Sequence, residues 1–253
     1  MKVVKVGGKI LEEEQSLLQL LDNFAAIEDL KVLVHGGGRL ATTIGNQLGI
    51  ESQYVDGRRI TDKETLQVVT MVYGGLANKT VVAQLQARDC NALGLTGADM
   101  NVILAEKRPV KTIDFGYVGD VKKVDDVRLA SLINAGIVPV MAPLTHDKQG
   151  NMLNTNADTI AAETAKGLSK HFEVSLVYCF EKPGVLMDEN DDNSVISHIT
   201  LDIYEKLKAE NIIHSGMIPK IDNAFDALNA GVKEVIITNV DNINTNKGTI
   251  ISL

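Results

Sequence analysis

The chain has 253 residues, of which 45% are hydrophobic and 23% are charged, and its formal net charge is −8. This is an ordinary globular composition, and the length allows one large α/β domain or two lobes that share a sheet. The acidic balance argues against a general nucleic-acid binder, because affinity for a phosphate backbone requires a basic surface. It does not exclude a nucleotide site, for which a few lysines suffice.

Neither the cysteines nor the histidines form a metal-binding pattern. Cys90 and Cys179 lack CxxC spacing and the five histidines are scattered, so we expect buried free thiols, a reducing compartment and no metal site. No apolar run approaches the roughly 18 residues that a membrane span requires, and no leader sequence precedes the first strand. The sequence therefore predicts a cytoplasmic protein.

Strand-like and helix-like segments alternate along the chain, which favours a largely parallel sheet covered by helices on both faces. Strands are predicted over residues 3–6, 32–34, 137–141, 174–179, 235–237 and 249–251. Helices are predicted over residues 17–24, 64–87, 157–168, 204–210 and 221–230, with a further helix through Ile44 and Leu48.

Three segments interrupt this regular alternation. Gly74-Gly75, inside the long helical pattern, indicates a kink or a close helix contact. Residues 100–124 are short and β-like, which predicts a hairpin folded over one edge of the sheet. Pro139 argues against pairing of its strand on both sides, because proline has no N–H to donate. The best boundary between two lobes lies near residues 166–170, which gives lobes of 1–168 and 169–253.

Three charged residues carry the strongest chemical signal. Lys5 lies in an apolar strand that runs into Gly7-Gly8, where an unpaired charge is costly. Asp158 and Lys220 each lie near the start of a predicted helix. Two ammonium groups held by one carboxylate suit a phosphoryl group that passes between two oxygens. We therefore expect Asp158 to pair with Lys5, and the pattern predicts a kinase.

A second glycine turn, His35-Gly36-Gly37-Gly38, lies between a strand and a helix, where backbone N–H groups can face an anion. It also fits a dinucleotide fingerprint with Asp56 as the acidic residue, but that fingerprint belongs on the first βα turn, which is Gly7-Gly8 here. A hydrolase oxyanion loop is excluded, since the chain has no G-x-S-x-G motif. Tight packing is the remaining alternative, although two such turns within the first 40 residues favour phosphate binding.

The residues that bind phosphate and substrate do not belong to a common nucleotide-binding motif. The chain has no P-loop motif, so a phosphate-transfer enzyme here must use a different cradle. Arg59, in the turn Asp56-Gly57-Arg58-Arg59-Ile60-Thr61, could present its guanidinium to a substrate carboxylate. The alternative for Arg58 and Arg59 is an ordinary pair of surface arginines.

Eight short motifs, in order along nearly the whole chain, together resemble the amino acid kinase family. They are Lys5-Val6-Gly7-Gly8, His35-Gly36-Gly37-Gly38, Asp56-Gly57-Arg58-Arg59-Ile60-Thr61, Ala77-Asn78-Lys79, Gly94-Leu95-Thr96-Gly97, Gly116-Tyr117-Val118-Gly119-Asp120, Asn154-Thr155-Asn156-Ala157-Asp158 and Gly216-Met217-Ile218-Pro219-Lys220. The resemblance implies an α/β fold, an open three-layer αβα sandwich with a mainly parallel central sheet. It implies an N-terminal lobe for the acyl amino acid and for dimerisation, and a C-terminal lobe for ATP. The implied reaction phosphorylates the γ-carboxylate of N-acetyl-L-glutamate, in arginine biosynthesis.

The resemblance also implies roles for individual residues. Lys5 and Lys220 would flank the phosphoryl group, Asp158 would orient both, and the backbone N–H groups of Gly8 and Gly37 would bind phosphoryl oxygens. The acyl amino acid would be held by Gly37, Gly38, Arg59 and Asn154. The nucleotide would contact Glu181, Lys182, Gly184, Val185, Leu186, Ile213 and His214. Mg²⁺ would be carried on the ATP phosphates without a protein ligand.

Departures from the family pattern leave alternatives open. The family's nucleotide loop usually contains Asp-Val-x-Gly-Val, but here it reads Phe180-Glu181-Lys182-Pro183-Gly184-Val185, so a ligand-binding protein without turnover is one alternative. Arg58 stands where an apolar residue is common and could accept a second carboxylate, which makes N-succinylglutamate an alternative substrate. Superfamily kinases of aspartate, carbamate or uridylate are further rivals, but Arg59 and Asn154 favour an acylglutamate.

The start of the chain predicts its assembly. Members of the family that arginine inhibits carry an extra N-terminal helix that joins dimers into a hexamer. Lys5 leaves no room for such a helix. We therefore expect a homodimer that arginine does not inhibit.

Overall fold

A computed structural model describes residues 1–55, 57–213, 217–245 and 247–253, apart from the side chain of Pro219. The sequence-predicted residues Asp56, His214 and Gly216 lie outside these ranges. None of the helices in the described part is both long and apolar enough to cross a membrane.

An eight-stranded sheet forms the centre of the fold. The strands of the described chain are β1 (Lys2–Val6), β2 (Lys31–His35), β3 (Tyr54–Val55), β4 (Arg58–Arg59), β5 (Ala92–Leu95), β6 (Ile103–Lys107), β7 (Gly119–Val124), β8 (Val138–Met141), β9 (Leu144–His146), β10 (Met152–Asn154), β11 (Ser175–Phe180), β12 (His198–Ile199), β13 (Glu234–Asn239) and β14 (Thr249–Ile251). The order in the large sheet is β12-β14-β13-β11-β1-β2-β8-β5. Its neighbours are parallel except for β13 and β14, which confirms the predicted mainly parallel sheet.

Helices cover both faces of this sheet and make the three layers that the resemblance implies. They are α1 (Gly8–Glu12), α2 (Glu14–Ala25), α3 (Gly38–Gln47), α4 (Lys63–Val69), α5 (Asn78–Gln86), α6 (Asp126–Asn134), α7 (Ala157–Leu168), α8 (Leu201–Ala209) and α9 (Ile218–Asn229). Side chains alternate along each strand, so Val3 packs in a core with α6 to α9, whereas Val4 packs in a core with α1, α2 and α5. The predicted αβα sandwich is confirmed.

The long helical pattern predicted over residues 64–87 contains a real irregularity. Helix α4 passes into a π-helical segment, Thr70–Ala77, and then into α5. The glycine pair Gly74-Gly75 lies in that segment, as the predicted kink requires. A Cβ on Gly74 would lie 3.3 Å from the Leu144 side chain, so this glycine permits close packing of the segment on β9.

Two expectations about strands need correction or extension. Strand β8 is paired on both sides, with β5 and with β2, although its pairing with β2 begins only at Val140, one residue beyond Pro139. Proline therefore shortens one ladder without moving the strand to an edge. The predicted hairpin is present as β6 and β7, but it joins β9 and β10 in a separate four-stranded sheet of order β10-β9-β6-β7, which was not predicted.

The chain order reverses at the centre of the large sheet. Strands β2, β8 and β5 lie on one side of β1, and the strands that follow α7 lie on the other. In open α/β sheets, ligands bind beyond the carboxyl ends of the strands at such a switch point. The topology therefore places a site where β1, β2 and β11 end.

Candidate active site

The two predicted glycine turns lie against each other at this edge of the sheet. The N–H of Gly36 donates to the carbonyl of Val6 at 3.2 Å. A Cβ on Gly8 would lie 3.6 Å from the nitrogen of Gly37, so no side chain separates the turns. Gly37 has a φ of 146°, and a Cβ there would also lie 3.0 Å from the Tyr73 ring. The first N–H groups of α1 and α3, which follow the turns, have no intrahelical acceptor. The pair of turns can therefore offer backbone donors to an anion.

Lys5 and Asp158 form the ion pair that the sequence predicts. Lys5 points to the face of β1 that α7 covers, the same face as Val3. Asn156 caps α7 by accepting the N–H of Asp158 at 2.7 Å, which fixes the position of that carboxylate. The Lys5 Nζ lies 2.8 Å from Oδ1 of Asp158, and the Lys5 side chain is only 9% exposed. The predicted pairing is confirmed, because a lysine this deeply buried requires a partner.

Lys220 reaches the same place from the other end of the chain. It lies in the first turn of α9, and its Nζ lies 4.1 Å from the centroid of the Phe180 ring. The Nζ of Lys5 lies 5.0 Å from the same centroid. The two nitrogens can therefore be no farther apart than the sum of these distances. Burial lowers the pKa of Lys220, the Asp158 carboxylate offsets this, and the Lys5 ammonium lowers that pKa further.

Two cavities meet at Lys220, and Asp158 lines one of them. The first has a volume of about 480 Å³ and is lined by residues that include Gly8, Lys9, Phe180, Glu181, Lys182 and Gly184. The second has a volume of about 640 Å³ and is lined by residues that include Gly37, Arg59, Arg108, Asn154 and Asp158. Gly38 and Lys220 line both cavities. A group could therefore pass between a ligand in one cavity and a ligand in the other within reach of Lys220.

Arg59 is locked in the wall of the second cavity. Its Nη2 donates to the carbonyl of Gly38 at 2.6 Å and to Oγ1 of Thr42 at 2.9 Å, and its Nη1 donates to the Ser52 hydroxyl. The guanidinium also lies 4.8 Å from the ring centroid of Tyr54. A surface arginine is excluded, because the residue is only 7% exposed. The structure thus ties this cation to the glycine turn.

Asn154 lies beside Arg59 in the same wall. Its Nδ2 donates to Oγ1 of Thr61 at 2.9 Å, and its N–H donates to the carbonyl of Tyr117 at 2.8 Å. These two bonds fix the amide in β10 and leave its Oδ1 and the second hydrogen of Nδ2 for a ligand. Asn154 joins Gly37, Gly38 and Arg59 around one cavity, so the structure brings together all four predicted substrate residues.

The predicted nucleotide residues divide into two groups. Glu181, Lys182 and Gly184 line the first cavity. Val185 and Ile213 do not line it, because both pack in the hydrophobic core, and the N–H of Val185 is bound to Oγ1 of Thr249 at 2.8 Å. Leu186 forms an isolated antiparallel β-bridge with Val195. These three residues do not line the first cavity in this structure, their nucleotide contacts stay predictions, and His214 lies outside the described residues.

Sequence reasoning missed Arg108 and Asp120 as cavity residues. The Arg108 guanidinium forms a fork with the Asp120 carboxylate, with its Nη2 2.6 Å from Oδ1. Its Nη1 is buried and has no hydrogen-bond partner among the described residues. The signal was present, since Asp120 ends the motif Gly116-Tyr117-Val118-Gly119-Asp120, but only the β6–β7 hairpin pairs it with Arg108.

No metal cluster accompanies the site in the described part of the chain, where no group of three or more His, Cys, Asp or Glu residues could hold an ion. Glu181, which lines the first cavity, is paired with Lys9 at 2.9 Å, and Asp158, which lines the second, is paired with Lys5. Mg²⁺ commonly binds through substrate phosphates and water with few protein ligands. These residues therefore fit an ion carried by a phosphorylated ligand and not an ion held by the protein alone.

Comparison with known proteins agrees with this geometry. The family model described as "Amino acid kinase family" matches residues 1–239. The chain belongs to the amino acid kinase family. It is 69% identical to an acetylglutamate kinase of Bacteroides thetaiotaomicron, over 98% of this chain and 96% of the relative. It is 65% identical to an acetylglutamate kinase of Parabacteroides distasonis, over 98% and 97%.

A solved structure extends the similarity to three dimensions. The crystal structure of smu.665 from Streptococcus mutans is 28% identical to this chain and has a TM-score of 0.80. The similarity covers 99% of this chain and 98% of that one. The family membership and the fold that the eight motifs implied are therefore confirmed, whereas the roles of the individual residues stay predictions.

Proposed function

We propose that this chain is an ATP-dependent acetylglutamate kinase, a phosphotransferase that phosphorylates the γ-carboxylate of N-acetyl-L-glutamate in the second step of arginine biosynthesis. The observation that carries the proposal is the convergence of Lys5 and Lys220 around Asp158 where two cavities meet. Relatives that match nearly the full chain at 69% and 65% identity have this name.

In this reaction a carboxylate oxygen of the substrate forms a bond to the γ-phosphorus while the bond from that phosphorus to the ADP oxygen breaks. The products are an acyl phosphate and ADP. A glutamate carboxyl has a reference pKa of about 4.3, so the nucleophile is ionised at pH 7 and no general base is needed. The protein must supply position and positive charge, which are the main contributions to phosphoryl transfer.

Each part of the site has a role in this proposal. Lys5 and Lys220 neutralise the charge that develops on the phosphoryl oxygens, and Asp158 holds Lys5 in place. The N–H groups of Gly8 and Gly37 bind phosphoryl oxygens. Because such donors are already in place before the reaction, they stabilise the transition state without reorganisation.

The two cavities take the two substrates. ATP occupies the first cavity, against Glu181, Lys182 and Gly184. N-acetylglutamate occupies the second, with its carboxylate on Arg59 and the remaining polar groups on Gly38 and Asn154. When bound on the ATP phosphates, Mg²⁺ offsets their negative charge.

We further propose that the chain has two lobes, forms a homodimer and is located in the cytoplasm. Residues 1–168 form a lobe for the acyl amino acid and for dimerisation, and residues 169–253 form a lobe for ATP. A homodimer is supported by exposed apolar side chains, Leu93 in the edge strand β5 and Met71 and Leu76 in the π-helical segment. A cytoplasmic location is supported by Cys90 and Cys179, which are both buried and free.

The proposal is tested with a panel of acceptors. ADP release is measured with ATP and free glutamate, N-acetylglutamate or N-succinylglutamate. We expect release with an N-acylated glutamate and not with free glutamate. No release with any acceptor would contradict the kinase proposal and favour a ligand-binding protein without turnover.

N-succinylglutamate is a second candidate substrate, and the cations around the second cavity favour it. Arg58 and Arg108 line this cavity and also a neighbouring one of about 730 Å³. The Nη1 of Arg108, which has no hydrogen-bond partner among the described residues, could donate a hydrogen bond to a further carboxylate. We expect Arg58→Ala to lower kcat/KM for the succinyl compound more than for the acetyl compound, and the exposed Arg128→Ala to change neither. Wild-type preference for the acetyl compound would remove this candidate.

A further inference from the structure

One aromatic ring lies beneath both lysines of the site. Phe180 is the last residue of β11. Lys5 pairs in register with Tyr178 on that strand, so Phe180, two residues further on, points to the same face of the sheet. The ammonium nitrogens of Lys5 and Lys220 lie 5.0 Å and 4.1 Å from its centroid. Both distances are shorter than the limit of about 6 Å for attraction between a cation and an aromatic face.

The two lysines need such a contact because they repel each other. Burial lowers the pKa of Lys220, the Asp158 carboxylate offsets this, and Lys5 lowers that pKa further. Asp158 lies directly against Lys5, so one carboxylate serves two cations. A second carboxylate would also repel the phosphates of a donor. An aromatic face attracts an ammonium group through its quadrupole and carries no net charge.

The ring is itself held in a fixed orientation. The Tyr178 ring stacks on it with an interplanar angle of 12° and a centroid separation of 6.1 Å. Tyr178 is only 2% exposed, so it forms a rigid support on the side of the core. Phe180 also lines the first cavity, next to the position proposed for the donor.

We propose that Phe180 is a positioning residue whose ring holds Lys5 and Lys220 in place for phosphoryl transfer through two cation–π contacts. This inference rests on the proposed function, since it assigns a reason for the positions of the same two lysines. It differs from a role as an apolar wall for the nucleotide, which would act on the KM for ATP.

Stepwise fluorination of the ring separates these two roles. Fluorine withdraws electron density from the aromatic face with little change in shape, and it makes the ring more apolar. Phe180 is replaced by 4-fluoro-, 3,5-difluoro- and 3,4,5-trifluorophenylalanine through amber suppression, and kcat and the KM for ATP are measured. We expect kcat to fall with each fluorine, by about tenfold at the trifluoro variant, while the KM for ATP stays the same.

Matched variants control for folding and packing. The same fluorinated residues at Phe225, whose ring packs against Tyr204 in the core, should leave kcat unchanged. Phe180→Tyr should retain activity and Phe180→Leu should lose it. A trifluoro variant at position 180 with unchanged kcat would overturn the inference. So would a raised KM for ATP at constant kcat, which would make the ring a nucleotide wall.

A measurement without substrates separates failure of this inference from failure of the proposed function. Protons above an aromatic face shift upfield in NMR spectra. We expect upfield ε-methylene signals for Lys5 and Lys220 in the wild type and ordinary positions in Phe180→Leu. Ordinary positions in the wild type would overturn the proposed role of Phe180 even for an active kinase. Upfield signals in a protein that turns over no acceptor would support the cation–π contacts of Phe180 and contradict the proposed function.

Discussion

Arg59 illustrates how a single side chain joins the wall of the second cavity to a glycine turn. Its guanidinium donates to Gly38, Thr42 and Ser52 at once, and Gly38 lines both cavities. A lysine would keep the charge, but it would lose the planar fork that makes several bonds from one position. Arg59 therefore contributes geometry as well as charge.

We predict that Arg59→Lys raises the KM for N-acetylglutamate by about tenfold or more and lowers kcat less, because lysine cannot keep the several hydrogen bonds that hold the cation in the cavity wall, and this loss affects the ground state and the transition state alike. Steady-state kinetics with saturating ATP measure both constants. The control is Arg88→Lys, which changes an arginine that contacts Asp22 and Gln84 away from the cavities. An unchanged KM in Arg59→Lys would contradict the role of Arg59.

His35 is a buried residue that the sequence places in a glycine turn without indicating its network. Its Nδ1 lies 2.7 Å from the carbonyl of Gly36 and its Nε2 lies 3.1 Å from Nδ2 of Asn78. The Nδ1 therefore donates and the Nε2 accepts, which is the neutral form. Burial is the main cause that lowers the pKa of His35 to about 4.

This pKa predicts a loss of stability in acid. As the pH falls below about 6.5, the histidine of the unfolded chain becomes protonated, whereas the histidine of the folded chain stays neutral until about pH 4. The free energy of unfolding therefore falls by about 3 kcal/mol between these two pH values. Urea unfolding at a series of pH values measures the slope. We expect a smaller slope in His35→Asn, whereas the exposed His198→Asn serves as the control. Equal slopes in His35→Asn and the wild type would refute the assignment.

At the scale of elements, the sequence predicted six strands of the large sheet because their apolar periodicity is strong, but it missed β5, β12 and helix α6. Helix α7 was predicted with its observed bounds, Ala157–Leu168, since Asn156 is a good cap and its apolar residues recur at helical spacing. Short strands such as β9 and β10 were not predicted, because three residues carry too little periodicity. Their pairing depends on tertiary contacts with the β6–β7 hairpin.

Glycine positions in the connecting segments give a test at this scale. Gly116 has a φ of 71°, and a Cβ there would approach the carbonyl of Thr61 more closely than real atoms do. Gly136 has a φ of 77° with nothing within 4 Å. We predict that Gly136→Ala costs about 1 kcal/mol of stability through backbone strain alone, and that Gly116→Ala costs about 1–3 kcal/mol more through the clash.

Thermal or urea unfolding of both variants measures this difference. Gly116→Ala should also raise the KM for N-acetylglutamate, because Thr61 accepts the hydrogen bond that fixes Asn154. Equal destabilisation by the two substitutions would show that the approach of Gly116 to Thr61 contributes nothing to the fold.

At the scale of the whole molecule, the candidate active site is built from both halves of the chain. Lys5 comes from β1 and Lys220 from α9, and the large sheet joins the two halves where β1 pairs with β11. The sequence predicted that these lysines and Asp158 would converge, because the buried strand lysine needed a partner. It could not predict that Gly38 and Lys220 line both cavities, nor that Phe180 lies beneath both lysines, because these contacts arise only from packing.

The most direct test of the central claim is the rate of acyl phosphate formation, trapped with hydroxylamine as the hydroxamate. Lys5→Met and Lys220→Met are compared with Lys122→Met, which changes an exposed lysine paired with Glu106. We predict that each of the first two lowers the rate by about 100-fold or more, with an unchanged circular dichroism spectrum, and that Lys122→Met has no effect. A folded Lys5→Met or Lys220→Met variant with a rate close to that of the wild type would contradict the account.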